Sequence, residues 1–111
     1  MSWGTNYLPE AKRDVEHLDG SQLKVYAKAI DKLLKNPLPV SEGGYGKPLG
    51  NRQSSRLAGL LKVKLKSLGI RIVYKADRER LVVVLIVVGD RADDEVYRIA
   101  ARRVASHPEL F

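Results

Sequence analysis

The segment Leu60-Leu61-Lys62-Val63-Lys64-Leu65-Lys66 places a lysine at every second position, with aliphatic residues between. Side chains alternate across a β-strand. The segment therefore reads as a strand with Lys62, Lys64 and Lys66 along one side and Leu61, Val63 and Leu65 entering a core. Three like charges at that spacing repel one another. A polyanion laid across them would relieve the repulsion, because phosphates neutralise lysines and release counterions. The same row also fits the wet face of a half-covered sheet, and the pattern alone leaves both readings open. A second cationic segment follows, Ile70-Arg71-Ile72-Val73-Tyr74-Lys75, in which Arg71, Val73 and Lys75 share a side. If the two strands pair with those sides together, Arg71 extends the charged surface across both.

Composition narrows the partners. The chain has 111 residues with a net charge of +7, which favours an acidic partner such as nucleic acid, an acidic protein or an anionic membrane surface. Between Arg56 and Arg80 eight basic residues stand against two acidic ones, Asp77 and Glu79, so the excess lies on the expected sheet. With 44% apolar residues the chain is expected to fold, as a single domain over 1–111. The longest apolar run, Leu81 to Val88, is far too short to cross a bilayer, and Met1 to Asn6 shows neither the basic start nor the apolar stretch of a secretory signal. No cysteine is present, which rules out disulfides, thiolate catalysis and thiolate metal sites and makes a reducing cytoplasm the expected compartment.

The elements that must position these cations can be read in outline. Leu8-Pro9-Glu10-Ala11 suits a helix start, and Ala11, Val15 and Leu18 continue at helical spacing to an end near Leu18. Asp19-Gly20-Ser21-Gln22 has the spacing of a capping box. It opens a second helix with Leu23, Tyr26, Ala27, Ile30, Leu33 and Leu34 as its apolar stripe, stopped by Asn36-Pro37. These two helices form a hairpin laid on the sheet. Pro37 to Ser55, rich in glycine and proline and without periodicity, reads as a long loop over a sheet edge. Ser67-Leu68-Gly69 turns between the two cationic strands, and Asp77-Arg78-Glu79-Arg80 turns into Leu81 to Val88. That last segment, apolar on both sides, belongs in the middle of a sheet. After Gly89 and Arg91, Asp93 or Asp94 is placed to cap a final helix carrying Val96, Tyr97, Ile99, Ala100 and Val104.

Lys62-Val63-Lys64, Gly69-Ile70-Arg71-Ile72-Val73-Tyr74, Val88-Gly89-Asp90-Arg91 and Glu95-Val96-Tyr97, taken in order, resemble the RelE/ParE superfamily of toxins from toxin–antitoxin pairs, and most closely its RelE branch. The likeness runs from about Tyr7 to Val104. It implies an α+β, RelE-like fold: an N-terminal helical hairpin on a small, twisted, mostly antiparallel sheet of three to four strands, with a short C-terminal helix. It also implies a cytoplasmic, ribosome-dependent endoribonuclease that cuts messenger RNA in the ribosomal A site without metal or other cofactor. The implied partners are a cognate RelB-like antitoxin, the ribosome and its messenger, and operator DNA only through the antitoxin. Such a free toxin is expected to be monomeric and to have no membrane partner. Carried over position by position, the resemblance puts the catalytic set on Lys62, Lys64, Arg71, Arg91 and Tyr97. Leu61 stands where the family often has an aromatic residue, and Asp90, where a basic one is common, is placed to pair with Arg91. An N-terminal strand is hard to discern in Trp3 to Leu8.

These residue types suit the implied chemistry. A 2′-hydroxyl must be activated to attack the adjacent phosphorus, the added charge stabilised and the 5′-oxygen released. Histidine is the usual proton carrier, yet His17 and His107 fall outside the expected face. A lysine crowded by other cations has its charged form disfavoured, which fits Lys64 or Lys62 as base. Arg71 and Arg91 present forks to phosphate oxygens. Tyr97 offers a ring for stacking and a hydroxyl to position the nucleophile; packing at the border of an amphipathic helix is its other reading. Lys66 and Lys75 are expected to bind backbone phosphate. Two alternatives share the same features: a ParE-like inhibitor of DNA gyrase, and a non-catalytic RNA-binding module.

Overall fold

The computed structural model describes residues 2–49 and 57–111. Strand β1 (Gly4–Tyr7) leads into helices α1 (Pro9–Glu16) and α2 (Gly20–Leu33). A short strand β2 (Lys47–Pro48) precedes β3 (Leu61–Leu65), β4 (Ile70–Asp77), β5 (Val82–Gly89) and helix α3 (Asp93–Ser106). The sheet order is β1-β5-β4-β3-β2, with β1 parallel to β5 and the other pairs antiparallel. The α+β class and the mostly antiparallel sheet are as expected, but the sheet has five strands rather than three or four. The C-terminal helix is not short either, its 14 residues matching the length of α2.

The two additional strands lie at the edges. β1, Gly-Thr-Asn-Tyr, is largely exposed and carries no apolar alternation; backbone pairing to Val82–Leu85 makes it a strand. β2 lies within the expected loop. It is accompanied by a 3₁₀ turn at Val40–Glu42 and a bridge between Pro39 and Gly46, and the loop's residues 50–55 lie outside the described residues. This segment is pinned to the sheet by the buried Tyr74 hydroxyl, which donates to the Pro37 carbonyl at 2.8 Å. Gly46 passes so close that a Cβ there would lie 2.2 Å from the same hydroxyl, so only glycine fits.

The helical hairpin forms as its sequence signals require. Pro9 opens α1, and Asp19 and Gln22 make both bonds of the capping box that starts α2. The buried stripe of α2 is narrower than the expected one: Tyr26, Ile30, Leu33 and Leu34 pack on the core, joined by Ala29, while Leu23 and Ala27 are exposed. The Tyr26 hydroxyl, bonded to that of Tyr7 at 2.6 Å, fixes this orientation. β5 is buried from Val83 to Val88 with α1 and α3 packed on it, as its unbroken apolar run predicted. No helix among the described residues is long and apolar enough to cross a membrane.

Candidate functional site

Register decides which cations meet. In the β3–β4 ladder Lys64 stands opposite Arg71 and Lys62 opposite Val73, so Lys62, Lys64 and Arg71 occupy one side of the sheet. Leu61, Val63, Leu65, Ile70, Ile72 and Tyr74 take the other side, as the alternation predicted. The first turns of α3 lie over the cationic side. Lys62 Nζ donates to the Tyr97 hydroxyl at 2.6 Å, sits 5.2 Å from the centre of that ring, and is 3.7 Å from Asp93 Oδ2. Arg71 donates its Nε–H to Asp93 Oδ1 at 2.5 Å, and its Nη1 to the carbonyls of Gly69 at 2.9 Å and Arg91 at 2.6 Å.

Asp93 is thus the hub of the cluster. Ala92, not an aspartate, occupies the N-cap position of α3, and no side chain caps the helix; the expectation that Asp93 or Asp94 would do so is corrected. The Asp93 carboxylate is drawn away by the cations instead, while its charge still suits the first turn of a helix. Its hydrogen bond from Arg71 holds its carboxyl below the usual range, reinforced by the charges of Lys62 and Lys64. This negative charge offsets the like-charge crowding that the strand sequence implied. The signal for it was in the sequence, an acidic run Asp93-Asp94-Glu95 following Arg91, but its spatial partners were 22 and 31 residues away.

The remaining expected residues are distributed as follows. Lys64 is exposed beside Arg71, and Lys66 is exposed in the turn that follows. Lys75 lies towards the far end of β4, donating to the Leu110 carbonyl at 3.0 Å and facing the Phe111 ring at 5.4 Å. The ring of Tyr97 is buried, with Lys62 against it and its hydroxyl bonded to the same lysine, so no surface for base stacking is presented in this arrangement. Arg91 contributes its backbone carbonyl to the cluster. Its guanidinium is exposed and lies 3.4 Å from Glu95. That side chain also lines a groove of about 390 Å³ between α1, the end of β5 and α3, shared with Arg13, His17 and Asp90. Asp90 accepts from Gln22 at 3.2 Å, where the sequence had suggested a pairing with Arg91.

Neither histidine faces Lys62. His17 Nδ1 is 2.6 Å from the Arg13 carbonyl, and His107 lies 3.0 Å from Glu10, whose hydrogen bond and charge raise its pKa. Among the described residues no group of three or more His, Asp or Glu is placed to hold a metal ion. The side chains of Lys62 and Arg71 are only 17% and 13% exposed against 42% for Asp93, which therefore forms the solvent side of the cluster. Chemically, the arrangement offers two fixed cations and an exposed third to an anion with at least two oxygens, next to a phenol.

No protein-family model matches the chain. It is similar to a putative RelE-like toxin protein of Escherichia coli, 26% identical over 107 residues, which cover 94% of this chain and 99% of the relative. The mRNA interferase toxin RelE of E. coli K12 is 40% identical over 55 residues, covering 47% of this chain and 58% of that one. Among solved structures, an arginine-to-alanine double variant of E. coli RelE in the free state superposes with a TM-score of 0.72 at 26% identity, covering 94% of this chain and 99% of the other. The RelBE2 toxin–antitoxin complex of Mycobacterium tuberculosis gives 0.65 at 28%, covering 84% and 95%.

Proposed function

Because the chain is RelE-like in both sequence and fold, we propose that it is the toxin of a type II toxin–antitoxin pair. It acts, on this reading, as a single domain over 1–111 in the cytoplasm, cutting messenger RNA in the ribosomal A site and so stopping translation. The observation that carries the reading is the meeting of Lys62, Arg71 and Tyr97 on one face, with Lys64 alongside.

The steps follow from the chemistry of these groups. Lys64, or Lys62 once RNA has displaced Asp93 from it, takes the proton from the 2′-hydroxyl as it attacks the adjacent phosphorus, and the Tyr97 hydroxyl holds the approaching sugar in place. Arg71, fixed by two backbone carbonyls, stabilises the charge added to the phosphate. Arg91, exposed and held among the described residues by a solvent-open contact to Glu95, swings onto the phosphate and assists the leaving 5′-oxygen when RNA is bound. Lys66 and Lys75 guide the flanking backbone. None of these steps calls for a metal. Lacking a dedicated histidine, the site depends on positioning for much of its rate, which a ribosome holding the messenger supplies. A cognate RelB-like antitoxin neutralises the free, monomeric toxin, and operator DNA is bound through that antitoxin.

The test maps new 5′ ends by primer extension on a defined messenger in a translating system. Cuts at the A-site codon that vanish without ribosomes are expected, with Arg91→Ala slowed by about 100-fold. Equal cutting of naked messenger would overturn ribosome dependence. No cutting by folded protein would favour gyrase inhibition or a binding-only role.

A further inference from the structure

The Asp93 carboxylate spans Arg71 and Lys62 with its two oxygens, one to each cation, in the manner of two oxygens of a phosphodiester. We infer that Asp93 is a specificity-determining residue of this site, an internal competitor that keeps weakly held RNA phosphates off Arg71 and Lys62; this rests on the reading of that face as the RNA site. Three features carry the inference. The carboxylate makes no capping hydrogen bond in α3, so no backbone N–H of the helix start loses a partner when it moves. It is more exposed than the two cations it bridges, so a side-chain rotation carries it into solvent with the helix in place. Arg71 keeps its bonds to the Gly69 and Arg91 carbonyls when the carboxylate leaves, so its fork remains aimed without it.

The consequence is a threshold. Lys62, Lys64 and Arg71 carry three positive charges, and Asp93 cancels one of them. A phosphate arriving alone must displace a carboxylate whose effective concentration is that of a group on the same chain. A strand held by additional contacts outlasts that competition. The residue thereby favours a substrate presented in place over RNA met in free solution.

The experiment measures binding of a short, mixed-sequence RNA with 2′-O-methyl groups throughout, which cannot be cut by 2′-hydroxyl attack, to the full chain over a range of salt concentrations. Asp93→Asn removes the charge and keeps the shape. It is expected to bind roughly 5- to 20-fold tighter than the unaltered chain. Its dependence of log affinity on log salt should steepen by about 0.7. Asp94→Asn changes the net charge equally without touching Arg71 or Lys62, and should gain no more than about twofold. Lys62→Met on the Asp93→Asn background should remove most of the gain. An Asp93→Asn affinity that is unchanged or weaker, a gain matched by Asp94→Asn, or a gain that survives Lys62→Met would each overturn the proposal. If Asp93→Asn fails to fold, Asp93→Ser provides the same comparison. Since the probe is inert, a chain that never cuts messenger would defeat the nuclease reading and leave this comparison intact.

Discussion

Two aspartate–arginine contacts lie between the helices of this chain and its sheet, and they are built differently. At one, Asp14 of α1 meets Arg103 of α3 with oxygen–nitrogen distances of 2.6 and 3.2 Å, both side chains mostly buried. β1 ends opposite Leu85, leaving the backbone of β5 beyond it without a strand partner on that edge. Asp14 accepts from the Val88 N–H at 3.0 Å and Arg103 donates to the Ile86 carbonyl at 2.8 Å, so the pair completes the edge that β1 leaves unfinished. At the other, Asp93 accepts among the described residues from side-chain cations alone and faces solvent. The first contact closes backbone groups that have nowhere else to go, whereas the second occupies cations that a different anion could take. Similar residue types therefore serve architecture in one place and leave a binding site in the other.

The strongest way to break this contrast is at β5. Arg103→Ala leaves the Asp14 charge without its partner and the Ile86 carbonyl without its donor, and is expected to cost about 3 kcal/mol of stability. Urea unfolding monitored by circular dichroism would measure it; a loss below about 1 kcal/mol would mean that water serves the β5 edge equally well. Asp14→Ala should cost about as much, and the double variant little more than either, because the two residues act as one unit. Asp93→Ala is the smaller counterpart. Its contact is open to solvent and Arg71 retains two carbonyl partners, so the expected loss is below about 1 kcal/mol. A loss comparable with that of Arg103→Ala would show that Asp93 holds α3 on the sheet.

The same contrast marks how far the sequence could be read. The alternation from Leu61 to Lys66 and the capping box at Asp19 are local signals, and both the cationic side of β3 and the start of α2 follow from them. The unbroken apolar run of β5 likewise matches its buried place between β1 and β4. β1 was obscure because Gly-Thr-Asn-Tyr is an exposed edge whose pairing uses backbone alone. β2 was hidden in a loop for the same reason. The Asp14–Arg103 pair spans 89 residues of sequence, and nothing local distinguishes either member from a solvated charge. Of the candidate site, Lys62, Lys64 and Arg71 could be grouped by strand parity, while Tyr97 joined them only through resemblance. Asp93 was misread because an aspartate before a helix is more often its cap; here the pull of two cations exceeds one bond to a backbone N–H.

The smallest expected effect separates the contacts by pH. Asp93 has its folded pKa lowered, chiefly by Arg71. Its contribution to stability is therefore fully present above the ordinary carboxylate value of about 4 and lost only as pH falls through the lower folded value. His107 has its folded pKa raised, first by the hydrogen bond it donates to Glu10. Its contribution is fully present below the ordinary histidine value of about 6.5 and lost as pH rises through the higher folded value. From about pH 6 upward, then, a decline in the urea midpoint should come from the C-terminal contact rather than the cationic face. His107→Gln should flatten that decline, and Asp93→Asn should leave its slope unchanged while shifting the whole curve slightly. A slope that follows Asp93→Asn instead would mean that the carboxylate on Arg71 and Lys62 is coupled to the far end of α3, and that the two regions are one cooperative unit.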